Sequence, residues 1–77
     1  MNREIYVLIK QLEEDNEIYV FCFQSLEKAR ERLNLMKNWH LEFYEKTEES
    51  TDFECDIDSF KDYSEWVYAR IEPKFII

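Results

Sequence analysis

Seventy-seven residues, 45% of them hydrophobic and 17% aromatic, make one small folded domain spanning residues 1–77 and exclude a disordered chain. Glycine is absent and proline occurs once, so no glycine-rich phosphate loop, collagen repeat or flexible linker is available. The formal charge is −8, and residues 42–65 hold ten acids against Lys46 and Lys61, which disfavours direct nucleic-acid binding there because phosphate contacts need bases.

The first element is Glu4–Lys10, EIYVLIK, whose β-branched and aromatic residues predict a strand. Glu17–Phe23, EIYVFCF, predicts a second, and Asp15-Asn16 between them can take the positive φ that a glycine would otherwise supply. The two should form an antiparallel hairpin. Both are apolar on both parities, so they call for cover on both faces.

Ser25 is placed to cap a helix, with Glu27 in its first turn favouring the dipole. Leu26, Ala29, Leu33, Met36, His40 and Phe43 follow at helical spacing and predict one buried stripe, with the helix running to about Lys46. Leu35 and Trp39 fall well off that stripe and are expected to be partly exposed. An exposed tryptophan near arginine is a common interface anchor. His40 sits in the stripe with no legible nucleophile beside it, which favours a structural role over catalysis or pH sensing.

Phe53–Asp58 alternates strictly and predicts a third strand, with Phe53, Cys55 and Ile57 inward and Asp52, Glu54, Asp56 and Asp58 outward. Residues 59–65 read as a connection with room for one helical turn. Trp66–Glu72 predicts the fourth strand, which Pro73 ends or marks as an edge. Phe75, Ile76 and Ile77 form an apolar tail that is either tucked away or sticky. The expected fold is α+β, with the order ββαββ: one long helix on a four-stranded, mostly antiparallel sheet. One helix leaves the other sheet face uncovered, and the tail, a partner chain or a second copy would have to cover it.

The chain starts with too short an apolar run for a signal peptide, and no stretch approaches a membrane span of about 18 apolar residues. A cytoplasmic protein is expected, with Cys22 and Cys55 as reduced, buried thiols. No cofactor or metal is expected. Same-face carboxylates on a strand lie about 6.6 Å apart, too far for four to share one ion. An EF-hand starting at Asp52 fails as well, because Ile57 and Tyr63 stand where its glycine and glutamate are needed.

The outward acids Asp52, Glu54, Asp56 and Asp58, backed by Glu42, Glu45, Glu48 and Glu49, admit two readings. They are the solvated side of an edge strand, where charge also discourages aggregation. Alternatively, they are spaced somewhat like successive phosphates and fit a basic groove made for nucleic acid.

YVLIK, a hairpin, and YVFCFQSLEKARERL with its Ser25-x-Glu27-Lys28-Ala29 helix start resemble a group of short uncharacterised bacterial and phage proteins. That resemblance implies no catalytic residue. In character the chain resembles small acidic nucleic-acid-mimic inhibitors, including anti-CRISPR and anti-restriction proteins. The expectation is therefore a non-enzymatic phage or mobile-element inhibitor. It would dock the carboxylates of residues 42–65, with Leu35 and Trp39 beside them, on a host nucleic-acid-binding enzyme or regulator. The alternative is a structural homodimeric module.

Overall fold

A computed structural model describes residues 3–76. It contains strands β1 (Arg3–Leu12) and β2 (Glu17–Phe23), helix α1 (Leu26–Phe43), and strands β3 (Phe53–Asp56), β4 (Ser59–Asp62) and β5 (Val67–Ile76). The strands form one antiparallel sheet in the order β2-β1-β5-β4-β3. The α+β class is as expected. The sheet, however, has five strands and not four, because Ser59–Asp62 pairs as a strand on both sides where a connection was expected.

The reason lies in what β4 turns inward. Phe60 and Asp62 share its buried parity, and Asp62 is completely buried. A carboxylate on the core face breaks the apolar alternation that marks a strand. Ile57, assigned inward on a longer third strand, lies instead in the two-residue turn between Asp56 and Ser59 and is exposed. The Asp56 carboxylate holds this turn by accepting from the Asp58 N–H (2.8 Å) and the Ser59 hydroxyl (3.0 Å).

The β1–β2 and β4–β5 connections are alike. Each is a four-residue turn, closed by Leu12 opposite Glu17 and by Asp62 opposite Val67. Each ends on a left-handed residue, Asn16 (φ 56) or Trp66 (φ 56). Trp66 is thus a turn residue, not the first residue of the last strand. The two turns lie side by side, and the Glu13 N–H donates to the Trp66 carbonyl at 2.9 Å.

Pro73 sits inside β5, opposite Tyr6. The Ile71 N–H points away from β1, to the Asp58 carbonyl at 2.9 Å. Pro73 is two residues on and would aim a hydrogen to the same side, beyond the end of the β4 ladder at Arg70. Its missing hydrogen therefore leaves no ladder bond unmade. The strand continues through Phe75 and Ile76, opposite Glu4 and Arg3, so these two residues are not a free tail. Ile77 lies outside the described residues.

Ser25 caps α1 as expected, its hydroxyl accepting from the Lys28 N–H at 3.3 Å. The helix stops three residues short of Lys46. Lys46 N–H donates to the Leu41 carbonyl (2.8 Å) and Glu45 N–H to the Glu42 carbonyl (3.2 Å), with Glu45 at φ 54. This is the Schellman ending, in which glycine usually takes the left-handed position. The glycine-free chain puts glutamate there, at a cost of about 1–2 kcal/mol.

Leu8, Leu33, Leu41, Phe53, Phe60 and Val67 make the core between α1 and one face of the sheet. Leu41 takes the buried place expected for Phe43, which is exposed. Among the described residues no element lies over the opposite face. There Ile5, Val7 and Ile9 are half-buried, while Ile18, Val20 and Cys22 on edge strand β2 are exposed. Cys55 is exposed too, so neither cysteine is the buried thiol expected.

Candidate functional site

The acidic residues are spread along the side of the molecule that carries β3 and β4: Asp58 lies beside Arg30 in the N-terminal half of α1, whereas Asp52 meets Lys46 beyond the C-terminus of α1. They do not form one strand row. β3 contains only Glu54 and Asp56 of the expected four; Asp52 precedes it, and Asp58 lies in the turn that follows it. Three of the carboxylates are held by cations. Arg30 grips Asp58 with two N–H groups, Nε at 2.7 Å and Nη2 at 3.3 Å. Lys46 Nζ lies 2.9 Å from Asp52 Oδ2. Lys37 pairs with Glu48. These bonds lower the Asp52 carboxyl through Lys46 and then Ser64, and the Glu48 carboxyl through Lys37.

Glu54 accepts from the Tyr63 hydroxyl at 2.9 Å and faces Lys61 across the ladder. Asp56, also exposed, spends its carboxylate on the β3–β4 turn. That leaves Glu42, Glu45 and Glu49, which are exposed and make no ion pair among the described residues. The outward charge thus comes from the helix end and its loop more than from the strand.

Leu35 and Trp39 are exposed as expected, at 64% and 57%, and Phe43 at 63% joins them. At i, i+4 and i+8 they form one ridge along α1, with the Trp39 and Phe43 rings stacked at 5.0 Å. The ridge lies on the flank toward β2. Lys10 Nζ is 5.7 Å from the Trp39 ring, and the Arg32 guanidinium is 5.3 Å from the Phe21 ring.

A third cluster is internal. His40 Nε2 and Asp62 Oδ2 are 2.7 Å apart and wholly buried. Asp62 Oδ1 accepts from Lys46 Nζ (2.8 Å), the Ser64 N–H and hydroxyl (both 3.0 Å) and the Glu65 N–H (3.2 Å). Burial pushes the Asp62 carboxyl up, but Lys46, His40 and the 64–65 donors override it and hold it far below the usual range. An ionised carboxylate only accepts, so the His40 Nε2 carries the shared hydrogen. The ring packs against Phe53 and Phe60, with centroids at 6.2 and 5.7 Å, and those two rings stack on each other at 5.9 Å.

Both oxygens of Asp62 are used, and neither the groove between α1 and the β3–β4 turn nor the groove beside Trp39 is lined by His40 or Asp62. It ties the end of α1 to β4 and to the acidic loop through the two bonds from Lys46 to Asp52 and Asp62. His40 was legible as a stripe residue. Asp62 was not, because its segment did not read as a strand.

Among the described residues no three His, Cys, Asp or Glu side chains converge on a metal-sized site, and no helix is long and apolar enough to cross a membrane. No protein-family model matches the chain, and searches of curated proteins and of solved structures found no match.

Proposed function

We propose that the chain is a non-enzymatic binding protein whose carboxylate-rich side occupies a basic, nucleic-acid-binding surface of a protein partner. A cytosolic inhibitor from a phage or mobile element, directed at a host defence enzyme or regulator, is the setting that suits such a surface best. The observation that carries the reading is the trio Glu42, Glu45 and Glu49: exposed, in no ion pair among the described residues, and carried by the last turn of α1 and the loop that follows it. Charge left without an internal partner produces a field beyond the surface and steers association with a basic groove. The internal network supports the same surface by fixing the loop that carries Glu48 and Glu49 to the core through Lys46.

The test is capture from a bacterial lysate on immobilised protein at low and high salt, with Glu42→Gln/Glu45→Gln/Glu49→Gln as control. The expected result is a nucleic-acid-binding protein that is retained at low salt, released at high salt or by added duplex, and not retained by the variant. Capture that ignores salt, duplex and the substitutions sinks the proposal.

A further inference from the structure

We propose that the chain forms a closed two-fold homodimer in which the outer edge of β2 pairs antiparallel with itself about Val20. The directions of the backbone groups come first. Ile71 sends its N–H toward β4, so its partner Leu8 must turn its own groups toward β2. Leu8 faces Phe21, so Tyr19, Phe21 and Phe23 bond inward to β1. Ile18, Val20 and Cys22 therefore turn their N–H and C=O groups outward, where no strand among the described residues meets them. Seven residues without proline, lysine or a bulge leave this edge unprotected.

A register centred on Val20 pairs all of these groups. Val20 meets Val20 of the second copy, Ile18 meets Cys22 of the second copy, and Cys22 meets Ile18 of the second copy, each as a doubly bonded pair. Glu17, the one charged residue of β2, lands opposite Phe23 of the second copy. The two Glu17 carboxylates then lie at opposite ends of the seam, about 20 Å apart.

Charge selects a second copy and selects this edge. The net charge of residues 1–41 is only −1, while Asp52, Glu54, Asp56 and Asp58 lie on and around β3 at the other sheet edge; Glu42, on the flank toward β2, shares its groove with the cations Lys10 and Arg32. Four strand spacings of about 4.8 Å separate β2 from β3 in each copy, more than twice the Debye length of about 8 Å at physiological ionic strength. Joining through β2 keeps the acidic edges on the outside, whereas joining through β3 would press them together. The acidic β3 edge also resists further strand addition, so assembly stops at two.

The same seam accounts for the ridge. α1 packs over β1 and β5 and reaches β2. Across the seam the two helices would stand at least about 14 Å apart, wider than the 8–10 Å of direct helix packing. Leu35 and Trp39 of both copies would fill that gap over a floor of Tyr19 and Phe21. Tyr19 faces Phe21 of the second copy in this register, which brings Trp39 beside Arg32 of the second copy.

Ile18, Tyr19, Val20, Leu35, Trp39 and Phe43 are each about half to two-thirds exposed. Together they offer on the order of 600–700 Å² of surface. A standard interface buries about 800 Å² per partner, and the strand backbone supplies the rest.

Sedimentation equilibrium of the full chain from micromolar to millimolar concentration is the first measurement, and hydrogen exchange at the Ile18, Val20 and Cys22 amides is the second. The expected result is a monomer–dimer equilibrium in which those three amides become protected as dimer forms. Val20→Lys sets like charges together at the two-fold axis and is expected to raise the dissociation constant on the order of tenfold or more, with an unchanged circular-dichroism spectrum. Val20→Pro removes only an outward N–H and should do the same; if it fails to fold, the lysine variant decides. A monomer throughout, an open-ended oligomer, or a dimer that leaves the three amides unprotected and survives Val20→Lys would overturn the proposal.

Discussion

A carboxylate with no solvent exposure is a hazard unless every lone pair is used, and Asp62 uses both oxygens. Removing one partner from such a buried network typically costs about 3–5 kcal/mol, because the other charge is left uncompensated. Asp62→Asn should therefore lower stability by about that much at pH 7, measured by urea unfolding. The pH dependence has a definite sign. The folded-state carboxyl titrates below its unfolded value of about 3.9, so the stabilisation is fully present above about pH 5. It is lost as the pH falls below that, because the unfolded chain takes up the proton first. Wild type should lose stability steeply from pH 5 to pH 3, and the asparagine variant should lose less over the same interval. Parallel losses in the two proteins would mean that other carboxylates carry the acid sensitivity.

At the scale of elements, α1 is the most instructive. Its buried residues are Ala29, Leu33, His40 and Leu41, so the stripe turns toward Leu41 in the last turn and leaves Phe43 outside. Leu33→Ala and Leu41→Ala should each cost about 2–5 kcal/mol, as large-to-small core changes do, and Phe43→Ala under about 1 kcal/mol for the dilute monomer. Thermal melts of the three variants check the helix phase, and equal losses for Leu41 and Phe43 would contradict it.

The first hairpin, the Ser25 cap and the exposure of Leu35 and Trp39 were all readable from spacing and residue type. β4 was not, because its only inward apolar residue is Phe60. Nor was the break in the acidic row, since Asp56 holds a turn by side-chain bonds that alternation cannot express. Pro73 looked like a strand end because the direction of one missing N–H depends on the neighbour's length, which is a tertiary fact.

At the scale of the whole molecule, the sheet order separates two kinds of surface, an apolar edge at β2 and an acidic edge around β3. The acids of residues 42–65 are themselves of two kinds, and stability measurements can tell them apart. Asp52 and Asp58 are half-buried and paired with Lys46 and Arg30. Glu42, Glu45 and Glu49 are exposed and add only repulsion to a chain of formal charge −8. Glu42→Gln/Glu45→Gln/Glu49→Gln should leave the melting temperature unchanged or raise it, most clearly at low ionic strength. Added salt should stabilise wild type by screening that repulsion and should do less for the triple variant. Asp52→Asn/Asp58→Asn removes the same sign of charge but should lower the melting temperature at every salt concentration, because it leaves Lys46 and Arg30 without those partners. Melts of the three proteins at two ionic strengths decide it. If both variants shift the same way, the division into paired and outward-facing carboxylates is wrong, and the assignment of Glu42, Glu45 and Glu49 to partner binding loses its basis.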